Sequence, residues 1–383
     1  MHVDAAVIGG GPVGAAAALE LEAAGLSVLL IEARDALTPA RDARPLALSH
    51  GSRLILERRG VWDLLGSATP VTRVHISQRA RFGRTVFTAH DARLPALGYV
   101  VDYSMLGAAL DSAVAAAQAR GALRTLRGTR VTSIAHDSAA AHIQFDTPAS
   151  AEDCFASVVV VADGNAEAAG VDVRVVEYGQ TAVSARVETP LHHDHTAYER
   201  FTPDGPLALL PYGSGYALVW VTAPPFAEQL CSATADEFAE ALRECFGDRL
   251  GGFTRVTSRA AHRLVLRIAE HPTAGRAALV GNSAQALHPV AGQGLNLGLR
   301  DAWELATEIR KRGAGDAALL RAYAARRRID RFGGIGFTHG LVKMFSNDWP
   351  PLAIARGIGL TLLDNFPPAK DFVVRRMIFG ARG

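Results

Sequence analysis

Cysteine is scarce in this chain, with only Cys154, Cys231 and Cys245 among 383 residues. They are odd in number and far apart, and no Cys-x-x-Cys or Cys/His ligand spacing occurs. That excludes a disulfide framework and a zinc site from the expected designs. Lysine is scarcer than usual, because Lys311, Lys343 and Lys370 are the only ones and arginine carries nearly all the positive charge. The 40 basic residues are balanced by 38 acidic ones, a formal net charge of +2, so the basic footprint of a nucleic-acid binder is missing. No apolar run approaches the roughly 18 residues of a spanning helix, and no basic n-region precedes the first apolar stretch. Internal repeats and low-complexity linkers are missing too. A cytoplasmic globular protein with no nucleic-acid partner and no metal is expected. His192, His193 and His195 form the one His-rich run, and it reads as a solvated loop before it reads as a metal site. What is present is an ordinary mix, 49% hydrophobic and 20% charged, in a chain long enough for more than one core.

The apolar, β-branched run 3–8 reads as a strand buried on both faces. It enters Gly9-Gly10-Gly11-Pro12-Val13-Gly14, which fits G-x-G-x-x-G, and an Ala/Leu/Glu-rich helix follows to Ala24, ended by Gly25. A second strand, Ser27 to Ile31, ends at Glu32. Each part has a physical task. Gly9 permits the tight turn, Gly11 lets the backbone approach a pyrophosphate, and Gly14 lets helix pack on strand. The free N–H groups of that helix receive the phosphates. Glu32 accepts from ribose hydroxyls and repels a 2′-phosphate, with Ala33 and Arg34 beside the same nucleotide. A lone glycine motif is weak evidence, but strand, helix and acidic residue in the right order make this a dinucleotide site. Which dinucleotide it binds is not settled at this end of the chain.

Two further strand ends carry chemistry. Ala277 to Val280 reads as a buried strand that turns at Gly281-Asn282. A glycine-rich entry, Gly292-Gln293-Gly294-Leu295-Asn296, then opens a helix that runs to about Arg310. Bare donors at a helix N-terminus suit a ring oxygen that gains negative charge on reduction, as the flavin N1/O2 edge does. The run Val158 to Val161 ends in Asp163-Gly164. Residues 180–265 alternate apolar and polar, as in Tyr216 to Val221, which predicts an antiparallel sheet. Asp236 to Cys245 reads as a helix crossing it.

The segment from Gly281 to Asn296, Gly-Asn-Ser-Ala-Gln-Ala-Leu-His-Pro-Val-Ala-Gly-Gln-Gly-Leu-Asn, resembles the second FAD motif of the aromatic-hydroxylase flavin monooxygenases, G-D-A-A-H-x-x-x-P-x-x-G-Q-G-x-N. It departs from the motif at Asn282, where Asp is usual, and at Gln285, where His is usual. Asp163-Gly164 is similar to the family's third motif, without the Ser and Arg that ordinarily follow. Arg44 to Ser52, Glu199 to Pro211 and the tail around Gly340 to Asn347 and Arg356 to Leu360 agree as well. Within the class, the resemblance is to the ubiquinone-biosynthesis hydroxylases, nearest the 2-polyprenyl-6-methoxyphenol hydroxylase type, and it covers nearly the whole chain.

The resemblance implies FAD as cofactor, NADPH or NADH as transient reductant, and dioxygen captured as a flavin C4a-hydroperoxide that hydroxylates a polyprenylated phenol. It places Asn282 on the ribityl chain, Pro289 beside the isoalloxazine, Gly292 to Asn296 on its pyrimidine edge, and Arg44, Val131, Asp163 and Gly281 among the FAD contacts. His288 either hydrogen-bonds the phenol or caps a turn. Phe201, Leu209, Pro211 and Trp220 are the candidates for the substrate pocket, with a plain sheet core as their other reading.

The architecture expected is α/β. A Rossmann-like FAD-binding domain is assembled from residues 1–72, 98–179 and 266–325, with an antiparallel β-sheet substrate domain from 73–97 and 180–265. A helical C-terminal segment, 326–383, follows. Its apolar stretch Leu352 to Leu363 either meets a membrane surface or packs on the protein or a second subunit, so peripheral membrane, biosynthetic-complex and homo-oligomer associations stay open. Two other functions also stay open. One is an FAD enzyme acting on another aromatic substrate or of another type; the Trp-x-Trp-x-Ile-Pro segment of halogenases is absent. The other is a flavin-binding scaffold of low activity.

Overall fold

The computed structural model describes residues 1–35, 44–137, 139–287, 292–345 and 349–381. Its helices are α1 (Pro12–Glu22), α2 (His50–Glu57), α3 (Tyr103–Ala119), α4 (Pro224–Ser232), α5 (Ala235–Phe246), α6 (Gln293–Arg312), α7 (Leu319–Phe345), α8 (Pro350–Asn365) and α9 (Pro367–Phe379).

The first strand, His2–Ile8, lies between Ala151–Val161 and Val28–Glu32, parallel to both. Leu123–Arg127 and Ala277–Leu279 extend the parallel sheet on its two sides. Successive side chains on a strand point to opposite faces, and here both faces are covered. Ala5, Val7, Leu30 and Val160 pack under α1, α3 and α6. Ala6, Ile8, Leu29 and Val161 pack under an antiparallel meander made by Arg130–His136, Ala141–Asp146 and the start of Ala151–Val161. This is why the run reads as continuously apolar rather than alternating.

A second sheet, eight-stranded among the described residues, falls where the sequence predicts the substrate domain and is called the substrate sheet. It is antiparallel except where Thr196–Thr202 runs parallel to Arg73–Gln78. Its two longest strands, Val173–Glu188 and Arg255–Ala269, pair with each other from one core to the other. Ala269 belongs to the core under the meander and Val256 to the core under α4 and α5. Positions 180 and 265 fall inside these strands, beside a register shift between Glu177 and Thr181 of the kind that bends a ladder. A small sheet joins Pro45–Ser49, Gly98–Asp102 and Thr69–Val71.

The segment Leu352 to Leu363 forms most of α8 and packs on the substrate sheet. Leu360 meets Phe201, and Leu363 joins Phe87, Val374 and Ile378. Asp364 fastens the helix to the sheet by accepting from Val86 N at 2.9 Å and Thr85 Oγ1 at 3.3 Å. Among the described residues, no helix is long and apolar enough to cross a membrane.

Candidate flavin and substrate site

The glycine turn after the first strand is shaped by close approach. Gly9 has φ +98°, and a Cβ there would lie 2.7 Å from Asp163 N; a Cβ on Gly14 would lie 1.8 Å from the Gly9 carbonyl oxygen. Gly11 differs, since a Cβ on it meets nothing within 4 Å. It caps α1 with no side-chain hydrogen bond and no acidic residue in the first turn, and Pro12 opens the helix. The N–H groups of Val13 and Gly14 are therefore left for an anion at the positive end of the dipole. Glu32 is buried and accepts from Gly10 N, from Arg34 N at 2.8 Å and from Arg34 Nε at 2.9 Å. Burial works to raise its pKa, but the Arg34 hydrogen bonds outweigh it and hold the carboxyl below its usual range. Ala33 and Arg34 themselves are exposed. Val131 packs into the core with Ile8 and Ile31, so it supports this corner from beneath. Asp163 stands opposite Gly9, accepting from Asn165 N at 2.9 Å and Ser283 Oγ at 3.4 Å. Burial raises its carboxyl pKa.

The third strand end meets this turn edge-on. Gly281 (φ +58°) and Gly298 both face Val13, where a Cβ would come within 3.1 and 2.6 Å of its methyl groups. Asn282 is exposed beside them. Beneath lies a buried polar hub, in which Asp301 accepts from Gly281 N at 3.0 Å, Gln285 Nε2 at 2.9 Å and Arg327 Nε at 2.6 Å. Gln285, where the motif has His, is thus a brace for the turn. α6 begins at Gly292 (φ +58°) with no side-chain cap and no acid in its first turn. A Cβ on Gly294 meets nothing. The backbone N–H groups of Gln293, Gly294 and Leu295 are the donors that the entry offers.

Asn296 has a different task. Its amide donates to Ala47 O at 2.9 Å and Gly292 O at 2.7 Å, while its oxygen accepts from Ser49 N at 2.8 Å and Ser52 Oγ at 2.7 Å. All four hydrogen-bonding positions of the side chain are filled by protein. The Asn296 side chain therefore pins the glycine entry to strand Pro45–Ser49. His288 and Pro289 lie outside the described residues.

The entry of α6 opens into a cavity of about 1220 Å³ between the parallel-sheet core, the substrate sheet and helices α8 and α9. Arg44 lines its near end, with its guanidinium 5.4 Å from the Tyr103 ring centre. Two uncapped helix N-termini and the open space over Gly11 and Gly294 fit FAD, with phosphates at α1, ring edge at α6 and the buried Glu32 at the end of the next strand.

A family profile described as FAD binding domain matches residues 2–330. The chain is 34% identical to ubiquinone hydroxylase UbiL of Rhodospirillum rubrum over 97% of this chain and 88% of that one. It is 32% identical to 3-demethoxyubiquinol 3-hydroxylase of Escherichia coli over 93% of each. The chain belongs to the ubiquinone-hydroxylase family of flavin monooxygenases. Solved structures share this family's fold across different chemistries. The p-nitrophenol 4-monooxygenase PnpA of Pseudomonas putida superposes with a TM-score of 0.77 at 18% identity over 100% of both chains. The flavin-dependent halogenase CmlS gives 0.72 at 18% identity, over 98% of this chain and 76% of that one.

In this ubiquinone-hydroxylase family member, the substrate side is decided by strand parity. Phe201 faces the cavity. Leu209 and Trp220, proposed from the sequence as pocket residues, lie on the opposite face, where they pack with Phe238, Leu242 and Phe246 of α5. Pro211 is buried on the same side of its strand as Leu209. Their neighbours Ala208, Leu210 and Val219 take the cavity positions instead, because alternate residues of a strand point apart. Arg186 enters the cavity paired with Asp102 at 3.1 Å. The histidine run goes three ways: His193 to Gly213 O, His195 to Pro70 O and His192 to Asp194. Among the described residues, no three His, Cys, Asp or Glu side chains gather to hold a metal. Residues the sequence reading did not single out are Ser49, Ser52, Asp301, Arg327 and Glu199. Only Glu199 carried a signal, as the one charged residue between Ala197 and Phe201 on the inward parity of its strand.

Proposed function

We propose that this flavin monooxygenase hydroxylates the ring of a phenol bearing a polyprenyl chain, in ubiquinone biosynthesis, with NADPH or NADH as the transient reductant. The observation that carries this reading is the cavity. Its volume of about 1220 Å³ takes in the space at the α6 entry where the flavin ring edge would lie and continues beyond it to α8 and α9. Its far wall is apolar, with Phe87, Phe201, Leu360, Leu363 and Met377, which suits a hydrocarbon tail. FAD, when bound, supplies the reducing electrons and, with dioxygen, the transferable oxygen. The protein's part is to hold the ring edge at the α6 N–H groups, orient the phenol, and keep water out with the α8 and α9 side chains. The outer face of α8 leaves Ile354, Ile358 and Leu362 exposed, with Arg375 exposed on α9. That face supports loose contact with an anionic lipid surface, from which such a substrate is drawn.

The test is NADPH and NADH oxidation by the FAD-loaded enzyme with and without a short-chain prenylated phenol under labelled dioxygen. The phenol should speed oxidation and gain one labelled oxygen. Oxidation that yields only hydrogen peroxide, whichever phenol is offered, would rule the reading out.

A further inference from the structure

Glu199 lies on the cavity face of Thr196–Thr202, in a cross-strand row with Thr85, Ile76, Ala208, Val219 and Ser184. Its immediate neighbours, Ile76 and Ala208, have no hydrogen-bonding side chain. Among the described residues its carboxyl makes no hydrogen bond and no ion pair, and the cavity's Arg186 pairs with Asp102. The exposure it retains is to the cavity it lines. Burial alone pushes this carboxyl up to about 7.

Its place relative to the flavin end follows from contacts. Gly292 packs on Ala47, Ala47 pairs with Val100, and Val100 packs on Ala197. Glu199 is two residues further along that strand, roughly 7 Å. Beyond it, Phe201 and Leu360 begin the apolar wall. The carboxyl therefore stands at the boundary between ring space and tail space. A half-buried acid with no protein partner costs folding free energy, and the natural partner for this one is a donor on the ligand.

We propose that Glu199 accepts the phenolic hydroxyl of the substrate and removes its proton as oxygen enters the ring. This rests on the function proposed above and names the group that activates its substrate. The phenolic O–H bond breaks, the proton passes to a Glu199 carboxylate oxygen, and the freed electron pair delocalises to the ortho and para carbons. One of these carbons would bond to the electrophilic oxygen that bound FAD and dioxygen would supply, as the O–O bond breaks and its electron pair leaves on the other oxygen. That oxygen would take the ring C–H proton as aromaticity returns, and the phenolate oxygen takes its own proton back from Glu199. The arrangement fits a general base whose pKa is tuned near the working pH.

The experiment compares the FAD-loaded wild type with Glu199→Gln and Glu199→Asp. It measures binding of an alkylated phenol and of its methyl ether by the change in flavin absorbance, and hydroxylation of the phenol. The wild type should prefer the phenol by about tenfold, the scale of a hydrogen bond to a charged group. Glu199→Gln should lose most of that preference while binding the ether unchanged, keeping FAD, and hydroxylating at least about a hundredfold more slowly. Glu199→Asp should recover part of both. A Gln variant that keeps the preference and hydroxylates normally overturns the role of Glu199 and leaves the proposed function standing. A wild type that binds the phenol but never hydroxylates it overturns both.

Discussion

The side-chain amide of Asn296 donates to the carbonyl of Ala47 at 2.9 Å across 249 residues of sequence. The same side chain holds Gly292 O, Ser49 N and Ser52 Oγ. Asn296→Ala should therefore loosen the α6 entry rather than remove a cofactor contact. The loss of several buried hydrogen bonds should cost about 2–4 kcal/mol of stability. Thermal unfolding and FAD retention, measured together, should fall in step. Unchanged melting with weaker FAD binding would return Asn296 to the cofactor.

Gly11 and Gly14 sit three residues apart and should respond oppositely. A side chain on Gly11, at φ −64°, enters open space, so Gly11→Val should fold normally by circular dichroism and lose FAD from the pyrophosphate position. Gly14→Ala puts a Cβ 1.8 Å from the Gly9 carbonyl oxygen, so it should fold poorly with or without added FAD. Gly294→Val has room as well and should lower flavin occupancy or turnover with the fold intact. A Gly11→Val protein that copurifies with full FAD would contradict the assignment of this turn.

The unpartnered Glu199 carboxyl should make stability fall with pH. Its folded pKa, about 7, lies above its ordinary 4.5, so folding takes up a proton between these values. The stabilising share is complete below about 4.5 and is lost as pH rises through 7. Glu199→Gln removes this dependence. Its melting temperature relative to wild type should rise between pH 5 and pH 8, by an amount corresponding to no more than about 3 kcal/mol. The other cavity-lining groups that titrate or carry charge, Arg44, Tyr99, Arg186, Tyr198, His262 and Arg356, are common to both proteins. A flat difference between the two pH values would mean that Glu199 has a partner in solution.

Liposome flotation addresses the outer face of α8. The protein should co-migrate weakly with anionic vesicles at low salt and separate at high salt. Ile358→Glu and Leu362→Glu, both on exposed positions, should abolish co-migration and leave FAD content unchanged. If wild type never floats, the exposed stripe meets something other than lipid.

Local backbone demands are what the sequence alone determined. A tight turn, a close approach and a helix entry each need glycine at a fixed offset, so Gly9, Gly11 and Gly14 announce a dinucleotide turn and Gly292 and Gly294 a bare helix entry without any knowledge of the fold, while the flavin itself came from the family resemblance. The continuous apolar run 3–8 likewise announces a strand covered on both faces. Tertiary structure decided which way side chains face and what they meet. Alternation along 205–212 and 215–222 defines two faces, but α5 chose one of them for the core, which sent Leu209 and Trp220 inward under that helix and gave Ala208 and Val219 to the cavity. Asn296 matches a motif, yet its partners Ala47, Ser49 and Ser52 arrive from the other end of the chain. Glu199 is the one charge on its parity of the strand, but only the packed sheet and α8 make that face the wall of a cavity. A carboxylate's chemistry depends on its surroundings more than on its type, and those surroundings are assembled only when distant segments pack.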